Sequence, residues 1–435
     1  MTIYSAMNSG VAGLAAQSTK FGAISDNISN SSTIGYKRTD VQFATMVTST
    51  TIPGSYSAGG LQTDVRSETT IQGTVQSTST STDLAISGSG FFVVSSAATD
   101  DVTKASEKLL TRSGSFRVDE QGNLVNAAGY FLQGWPLDSN GKVSGGEPSR
   151  TSFTSLQTVN LAEITGMAQP TTAITFAANL PASSTSQTQV SAPFSTSIDY
   201  FTPLGFTKQL DMQWVPKPAT TTTNAAGATV VTPSNEWTLN IIDGGSVRQS
   251  VTIKFNDGIT ATPAGRIASI TPATNGIVSV TTTAGQKLNI DIGQAGSLTQ
   301  WGDQYVPSKI SKDGASYASL DRVQVGEDGI VTAIYGNGLR QAVYQLPLAT
   351  VINADGLTSV AGNAYKVSRE SGDIYLWDSG SGSTGTISGG ALEASNVDIA
   401  KELTSIIETQ RAYSSCAKII QTADEMLEQI SMLMR

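Results

Sequence analysis

Residues 1–30 read MTIYSAMNSGVAGLAAQSTKFGAISDNISN, and within them Tyr4, Met7, Val11, Leu14, Ser18, Phe21, Ser25 and Ile28 fall alternately three and four apart. At the far end of the 435-residue chain, Ile399, Leu403, Ile406, Gln410, Tyr413, Ala417, Ile420, Asp424, Leu427, Ser431 and Met434 keep the same spacing. A stripe with that repeat marks a helix able to lie along another, so both ends are candidate seam-forming helices. From Met1 to Ser25 the only charged side chain is Lys20. The face turned away from the stripe carries Ser5, Gly10, Ala12, Gly13, Ala16, Gln17 and Gly22, small or uncharged residues that let other backbones come close. A helix without a solvated face is expected to be surrounded, by its own β domain or by other subunits. Gly10, Gly13 and Gly22 each cost up to about 1 kcal/mol of helix propensity relative to Ala, so this helix should depend on its contacts for order.

Between the two ends the chain is rich in Thr, Ser, Gly and Val, arranged in short alternating runs broken by turn dipeptides. That pattern reads as β structure. Strand signals begin at Asp83–Ser95, where Leu84, Ile86 and Phe91 to Val94 bracket Gly88-Ser89-Gly90, and turns follow at Asp119–Asn123, Asp138–Gly141, Asn256–Gly258 and Glu327–Gly329. The expected fold is a mainly β multidomain body with paired N- and C-terminal α-helices forming a coiled-coil-like inner domain. Its divisions are 1–32 with 395–435 as the helical inner domain, 33–75 with 386–394 as an extended strap or hinge, 76–164 with 312–385 as an inner β domain, and 165–311 as an inserted outer β domain. The polar run Thr39–Thr80 reads as a strap, Asp378–Gly390 as a Gly/Ser hinge, and the uncharged run Ala219–Ser234 as a surface loop. Ser395 is the expected N-cap of the last helix, with Asp398 at N3. From Ile399 to Met434 that helix spans roughly 50 Å at 1.5 Å per residue, longer than a small β domain is wide.

Composition removes several functions. With no histidine, Ser-His-Asp and Cys-His catalysis, His-ligated zinc and haem are excluded. A net charge of −9 offers no basic patch for phosphate backbones, so no nucleic acid is expected as a partner. Cys416 is alone and reads as a small buried apolar residue in the last helix. Met1 to Lys20 lacks the basic start and apolar core of a secretory signal, and no run is long and apolar enough to cross a bilayer, so no membrane insertion is expected. Gly88-Ser89-Gly90 leads into a strand and not a helix, which argues against phosphate binding, and no Asp/Asn-Gly turn carries the full calcium ligand series. No cofactor, metal or catalytic residue is therefore expected. An Asp/Glu glycosidase and a secreted β-rich adhesin are the rival classes.

Several separate blocks carry a resemblance. Asp26-Asn27-Ile28-Ser29-Asn30 with Thr33-Ile34-Gly35-Tyr36-Lys37 resembles the N-terminal signature of bacterial flagellar rod and hook proteins. Thr82 to Ile86 with Gly90-Phe91-Phe92, then Thr111 to Phe116 and Gly122 to Val125, are similar to that family's central β motif. Leu392 to Asp398, Gln410-Arg411-Ala412-Tyr413 and Ile420 to Leu427 resemble its C-terminal motif. Ser29, and the absence of an acidic residue near Ser87, depart from the usual pattern. The resemblance implies an exported, self-assembling structural subunit, and the chain's length and inserted middle favour the hook branch over the shorter rod proteins. It further implies a curved tubular homo-oligomer joining rod to filament, with rod, hook-cap and hook–filament junction proteins as partners and the flagellar type III apparatus as its export route. Met7, Val11, Leu14, Phe21 and Ile28, with Leu403, Ile406, Tyr413, Ile420 and Leu427, are the expected self-assembly contacts. Asn27, Asn30, Gly35, Tyr36, Gly88, Gly90, Phe91, Phe92, Ser395, Asn396 and Asp398 are the expected structural motif residues, the asparagines bonding backbone groups at the helix end and the glycines permitting bends.

Overall fold

The structure, a computed structural model, describes residues 3–46, 59–98, 106–225, 227–259, 263–293 and 298–433; Met434 and residues 47–58 of the expected strap lie outside it. Two compact units are present: Met1–Ile164, Asp321–Ile334 and Arg340–Arg435 form the first, and Thr165–Leu320 with Tyr335–Leu339 the second.

In the second unit, period-two alternation builds the core. Strand Glu236–Asp243 buries every other residue, as does the second half of Thr207–Pro216, which is what a sheet with one covered face requires. These strands belong to a five-stranded antiparallel sheet running Phe194–Phe201, Thr207–Pro216, Glu236–Asp243, Ser246–Phe255 and Ile267–Thr271. A second sheet centres on Ala173–Leu180, which pairs parallel with Lys287–Asp291 and Leu298–Gln300 and antiparallel with Val306–Lys312. One core draws on both sheets, with Phe176, Tyr200, Trp214, Trp237 and Ile290 buried, and Phe176 stacks on Trp214 at 5.6 Å between ring centroids.

The boundary expected at residue 311 falls too early. Val306–Lys312 hydrogen-bonds along Ala173–Leu180, Ala315–Ala318 pairs with Met167–Gln169, and Asn337 Nδ2 donates to Met167 O and Ser316 O. These long-range pairings carry the unit on to Leu320 and recruit Tyr335–Leu339, and no composition change marks them. The uncharged run Ala219–Ser234 contains an exposed hairpin, Thr220–Thr223 against Thr229–Thr232.

The first unit is built around Phe91–Ser95, a strand buried on both faces that pairs with Lys108–Thr111, Phe131–Pro136 and Pro347–Val351. Phe91 and Phe92 are both buried. Gly88 and Gly90 lead into it with φ of +109° and +124°, conformations that a Cβ resists. A side chain at Gly88 would also meet Gly385 Cα at 2.8 Å.

Two tracts expected as loose connections are ordered pairings. Thr386–Gly389 runs in register with Leu84–Ser87, and Ala391–Glu393 with Val75–Ser77, so most of residues 386–394 is strand and not a hinge. Only the stretch before them is a turn, closed by the Gly380 N–H donating to Gly385 O at 2.9 Å. Thr39–Thr45 and Leu61–Ser67 form an antiparallel ribbon and not a single strap. Their polar side chains hide the pairing, because the bonds are made by backbone.

The core of the second unit generates a test. Trp214→Ala should cost about 3–5 kcal/mol by cavity formation, read as faster amide exchange throughout Glu236–Phe255. Unchanged exchange there would show that Phe176 and Trp214 do not support the sheet pair.

Candidate assembly site at the terminal helices

Helix α1 (Ile3–Ser29) packs against helix α2 (Ile399–Leu433). The contact uses the small residues. A side chain at Gly10 would lie 3.0 Å from Ile420 Cγ1, and one at Gly13 would lie 2.9 Å from the Cys416 sulfur. Ala16 and Ile24 of α1 and Thr409 and Ala423 of α2 are buried, while Cys416 is half-buried beside Gly13. Gly10, Gly13 and Ala16 were expected on the outward face, and this is a correction: absent side chains permit the close approach that large ones prevent.

The large apolar residues are left outside. Val11 is 53% exposed, Phe21 42%, Leu403 51% and Tyr413 47%, and Ile407, Ile419, Met426 and Ile430 are exposed as well. Met7, Leu14 and Ile28 on α1, and Ile406 and Leu427 on α2, are half-buried, as is Ile420, which lies against Gly10 in the contact itself. Between the helices lies an open hollow of about 520 Å³ lined by Gln17, Ser18, Phe21, Thr409, Gln410, Tyr413 and Ser414. The ribbon covers another part of α1, with Gly60 close to Ala12 and the Lys20 ammonium 5.6 Å from the centre of the Phe43 ring.

At the base of the helices the two chain ends are joined by polar groups. Asn27, fully buried, uses its side-chain amide as a strand uses its backbone: Nδ2 donates to Thr39 O at 2.9 Å and Oδ1 accepts the Thr39 N–H at 2.8 Å. The Tyr36 hydroxyl donates to the same Oδ1 at 3.1 Å. Asn30 Nδ2 donates to Asp26 O at 2.9 Å, and Thr33 Oγ1 donates to Asn30 Oδ1 at 3.1 Å, closing the last turn of α1. Gly35, at φ +70°, donates its N–H to Glu393 O at 2.8 Å, and a side chain there would strike the Ser113 nitrogen at 2.6 Å.

Glu393 is the centre of this junction. Its Oε1 accepts from Lys37 Nζ at 2.6 Å and from the Gly73 N–H at 2.9 Å, and its Oε2 accepts from Arg112 at 3.1 Å. Burial pushes the Lys37 ammonium below its ordinary pKa, and the Glu393 carboxylate opposes that shift. Arg38 gathers three carboxylates, Glu402 at 2.5 Å, Glu68 at 3.0 Å and Asp40 at 3.3 Å. Burial alone would lower its pKa, but the hydrogen bond it donates to Glu402 and the neighbouring carboxylate charges outweigh that and hold the guanidinium above its usual value. Asn396 accepts the Arg38 N–H at 2.7 Å and donates to Glu68 O and Ile71 O.

Ser395 is not the N-cap of α2. Asp398 takes that place, its Oδ1 accepting the N–H groups of Ala400 at 2.9 Å and Lys401 at 3.3 Å, while Ser395 Oγ accepts only from Val397. Asn396, fixed to Glu68 and Ile71, keeps the chain extended until Asp398. Arg38 was given no part by sequence, Lys37, Arg112 and Glu393 appeared only inside quoted motifs, and Glu402 was legible only as an acid in the first turn of α2, where the helix dipole favours negative charge. The signal available was the adjacent cations Lys37-Arg38, following a segment almost without charge. Among the described residues no group of three or more acidic or cysteine side chains could hold a metal ion, and no helix is long and apolar enough to cross a membrane.

Three family models match the chain: "Flagella basal body rod protein" over 7–37, "Flagellar hook protein FlgE/F/G D1 domain" over 85–188, and "Flagellar basal body rod FlgEFG protein C-terminal" over 388–433. The first and third contain the segments that meet around Asn27, Lys37, Glu393 and Glu402. The flagellar hook protein FlgE of Brucella abortus is 35% identical over 437 residues, covering 100% of both chains. That of Salmonella typhimurium is 29% identical, covering 96% of this chain and 97% of its own. A crystal structure of Helicobacter pylori flagellar hook protein FlgE2 aligns with a TM-score of 0.44 at 14% identity, over 72% of this chain and 98% of that one, a likeness below that which establishes a shared fold.

Replacing Glu393 with Ala leaves Lys37 and Arg112 buried without their shared carboxylate, and should cost about 3–5 kcal/mol in urea unfolding of the first unit. Lys217→Ala breaks the exposed pair with Glu236 and should cost no more than about 1 kcal/mol. Similar losses from both substitutions would remove Glu393 from its central place.

Proposed function

Because this chain belongs to the flagellar hook protein family, we propose that it is the repeating structural subunit of a bacterial flagellar hook, polymerising through the outward faces of α1 and α2 into a curved, flexible tube that carries torque from rod to filament. The observation that carries this reading is the inversion of the helix pair. Contact within the chain consumes Gly10, Gly13 and Ala16, and leaves Val11, Phe21, Leu403, Ile407, Tyr413, Ile419 and Met426 facing out. Fully burying a large apolar side chain is worth about 1.5–3 kcal/mol, so covering the exposed half of each contributes roughly 1 kcal/mol, and several act together in every subunit. The hollow beside Phe21 and Tyr413 offers a neighbour's apolar side chain a place to seat.

The remaining roles follow from that assignment. Rod, hook-cap and hook–filament junction proteins are the proposed neighbours at the ends of the tube. Export runs through the flagellar type III apparatus without a cleaved signal peptide, and the chain works as a scaffold and not as an enzyme. The second unit, with its Thr- and Ser-rich exposed hairpins, is the proposed outer domain that tunes curvature through wet, polar contacts.

Leu403→Asp tests the assembly face. Leu403 is 51% exposed in the single chain, so the folded monomer should survive with an unchanged circular dichroism spectrum. In the polymer the new carboxylate would be buried without a partner, at a cost of several kcal/mol, and tubes should be absent by electron microscopy. Tubes of normal length from an exported Leu403→Asp chain would sink the assignment.

A further inference from the structure

The buried charges around Glu393 do not balance. Two cations, Lys37 and Arg112, share one carboxylate, and all three side chains are at most 3% exposed. Arg112 is also incompletely used. Its Nη1 donates to Glu393 and its Nη2 to Gly88 O at 2.9 Å, while Nε is buried without a partner. An unpaired buried donor on a cation is costly, and such groups ordinarily find an acceptor.

A hollow of about 230 Å³ opens beside this guanidinium, and Arg112 forms part of its wall. Around it stand the hydroxyl-bearing residues Thr69, Thr70, Ser89, Thr350 and Ser383, with Phe91, whose ring lies 5.3 Å from the Arg112 guanidinium carbon. Asp355 is attached to the same wall, but its Oδ1 accepts from the Thr69 N–H, the Thr69 hydroxyl and the Thr70 N–H. That residue lines a different hollow, with Asp64, Arg66 and Glu370. Among the described residues no carboxylate lines the hollow beside Arg112.

We infer that this hollow is an oxyanion-binding site, taking a carboxylate or phosphate group against the Arg112 guanidinium with the hydroxyls of Thr70, Ser89 and Ser383 as donors. The bound charge neutralises the excess cation that Glu393 leaves. Guanidinium and hydroxyl donors match the oxygens of both groups, so the chemistry is shared by a free inorganic anion and by an acidic side chain of another polypeptide. The site is separate from the apolar faces of α1 and α2 and does not depend on them.

Thr70, exposed on the rim, allows a carboxylate to be tethered in place. The full chain is compared as wild type, Thr70→Glu and Thr70→Gln by thermal unfolding at neutral pH, in sodium chloride and in sodium phosphate of equal ionic strength. Adding a carboxylate to a chain of net charge −9 ordinarily weakens it, so stabilisation would be specific. Thr70→Glu is expected to unfold about 2–4 °C above Thr70→Gln, and phosphate to raise the wild-type midpoint saturably without raising that of Thr70→Glu. A gain from Thr70→Glu with no wild-type response to phosphate, or with an equal phosphate rise in both chains from general salting effects, also supports the site and assigns it to an acidic side chain. Thr70→Glu unfolding at or below Thr70→Gln overturns the inference, whatever phosphate does.

Discussion

The buried carboxylate of Glu393 holds together segments that the chain keeps far apart. Through it, Lys37 from the exit of α1, Gly73 from the turn before Val75–Ser77, and Arg112 from the strand after Lys108 meet at the entrance to α2. Its backbone carbonyl takes the Gly35 N–H, and the strand Ala391–Glu393 pairs with Val75–Ser77. A buried ion cluster of this kind gives little net stability over an apolar replacement, because desolvation offsets much of the attraction. What it gives is register: the carboxylate is satisfied only when all these segments are in place, so a slipped arrangement strands a charge. Asn27 imposes the same condition on α1, since its amide pairs with both the N–H and the carbonyl of Thr39 and takes the Tyr36 hydroxyl as well.

The sequence made the elements legible where side chains carry the periodicity. The three-four stripe located both helices, and the buried run Phe91 to Val94 located the central strand. Where backbone does the pairing the sequence was mute. Thr386–Gly389 reads as Gly/Ser hinge because its bonds to Leu84–Ser87 use no distinctive side chain beyond the buried Ile387. The helix faces failed for a different reason. Periodicity shows that a large apolar stripe and a small stripe exist, but not which is used first. Gly13 against Cys416 allows the helices of one chain to meet closely, and this consigns Val11 and Phe21 to the outside.

That order of use suits a subunit that must exist both alone and in a polymer. Small-residue packing buries little apolar area, and three glycines weaken α1, so the isolated helix pair is marginal. In the proposed polymer the exposed stripes add their stabilisation only when other copies cover them. In the proposed tube, ordering of the helices and growth are thereby coupled, and a lone subunit has little drive to hold its ends rigid.

In the proposed tube, load entering the helices must leave them through the junction. Covalently, α1 continues only through residues 30–38 and α2 begins only after residues 394–398, each a single run of chain free to swivel if nothing else held it. Arg38 bridges this gap, tying the first turn of α2 at Glu402 to the ribbon at Asp40 and Glu68. Asn396 locks the approach to α2 against Arg38, Glu68 and Ile71, and Gly35 lies close against the Ser113 backbone. Hydrogen bonds and ion pairs of fixed geometry resist twisting better than apolar contacts, which are non-directional and slide at little cost. A torque-bearing subunit therefore needs polar, directional bonds where helix meets sheet and apolar surface where copies meet one another. This chain places Asn27, Lys37, Arg38, Glu393, Asn396 and Glu402 at the first position, and Val11, Phe21, Leu403 and Tyr413 where the second is proposed.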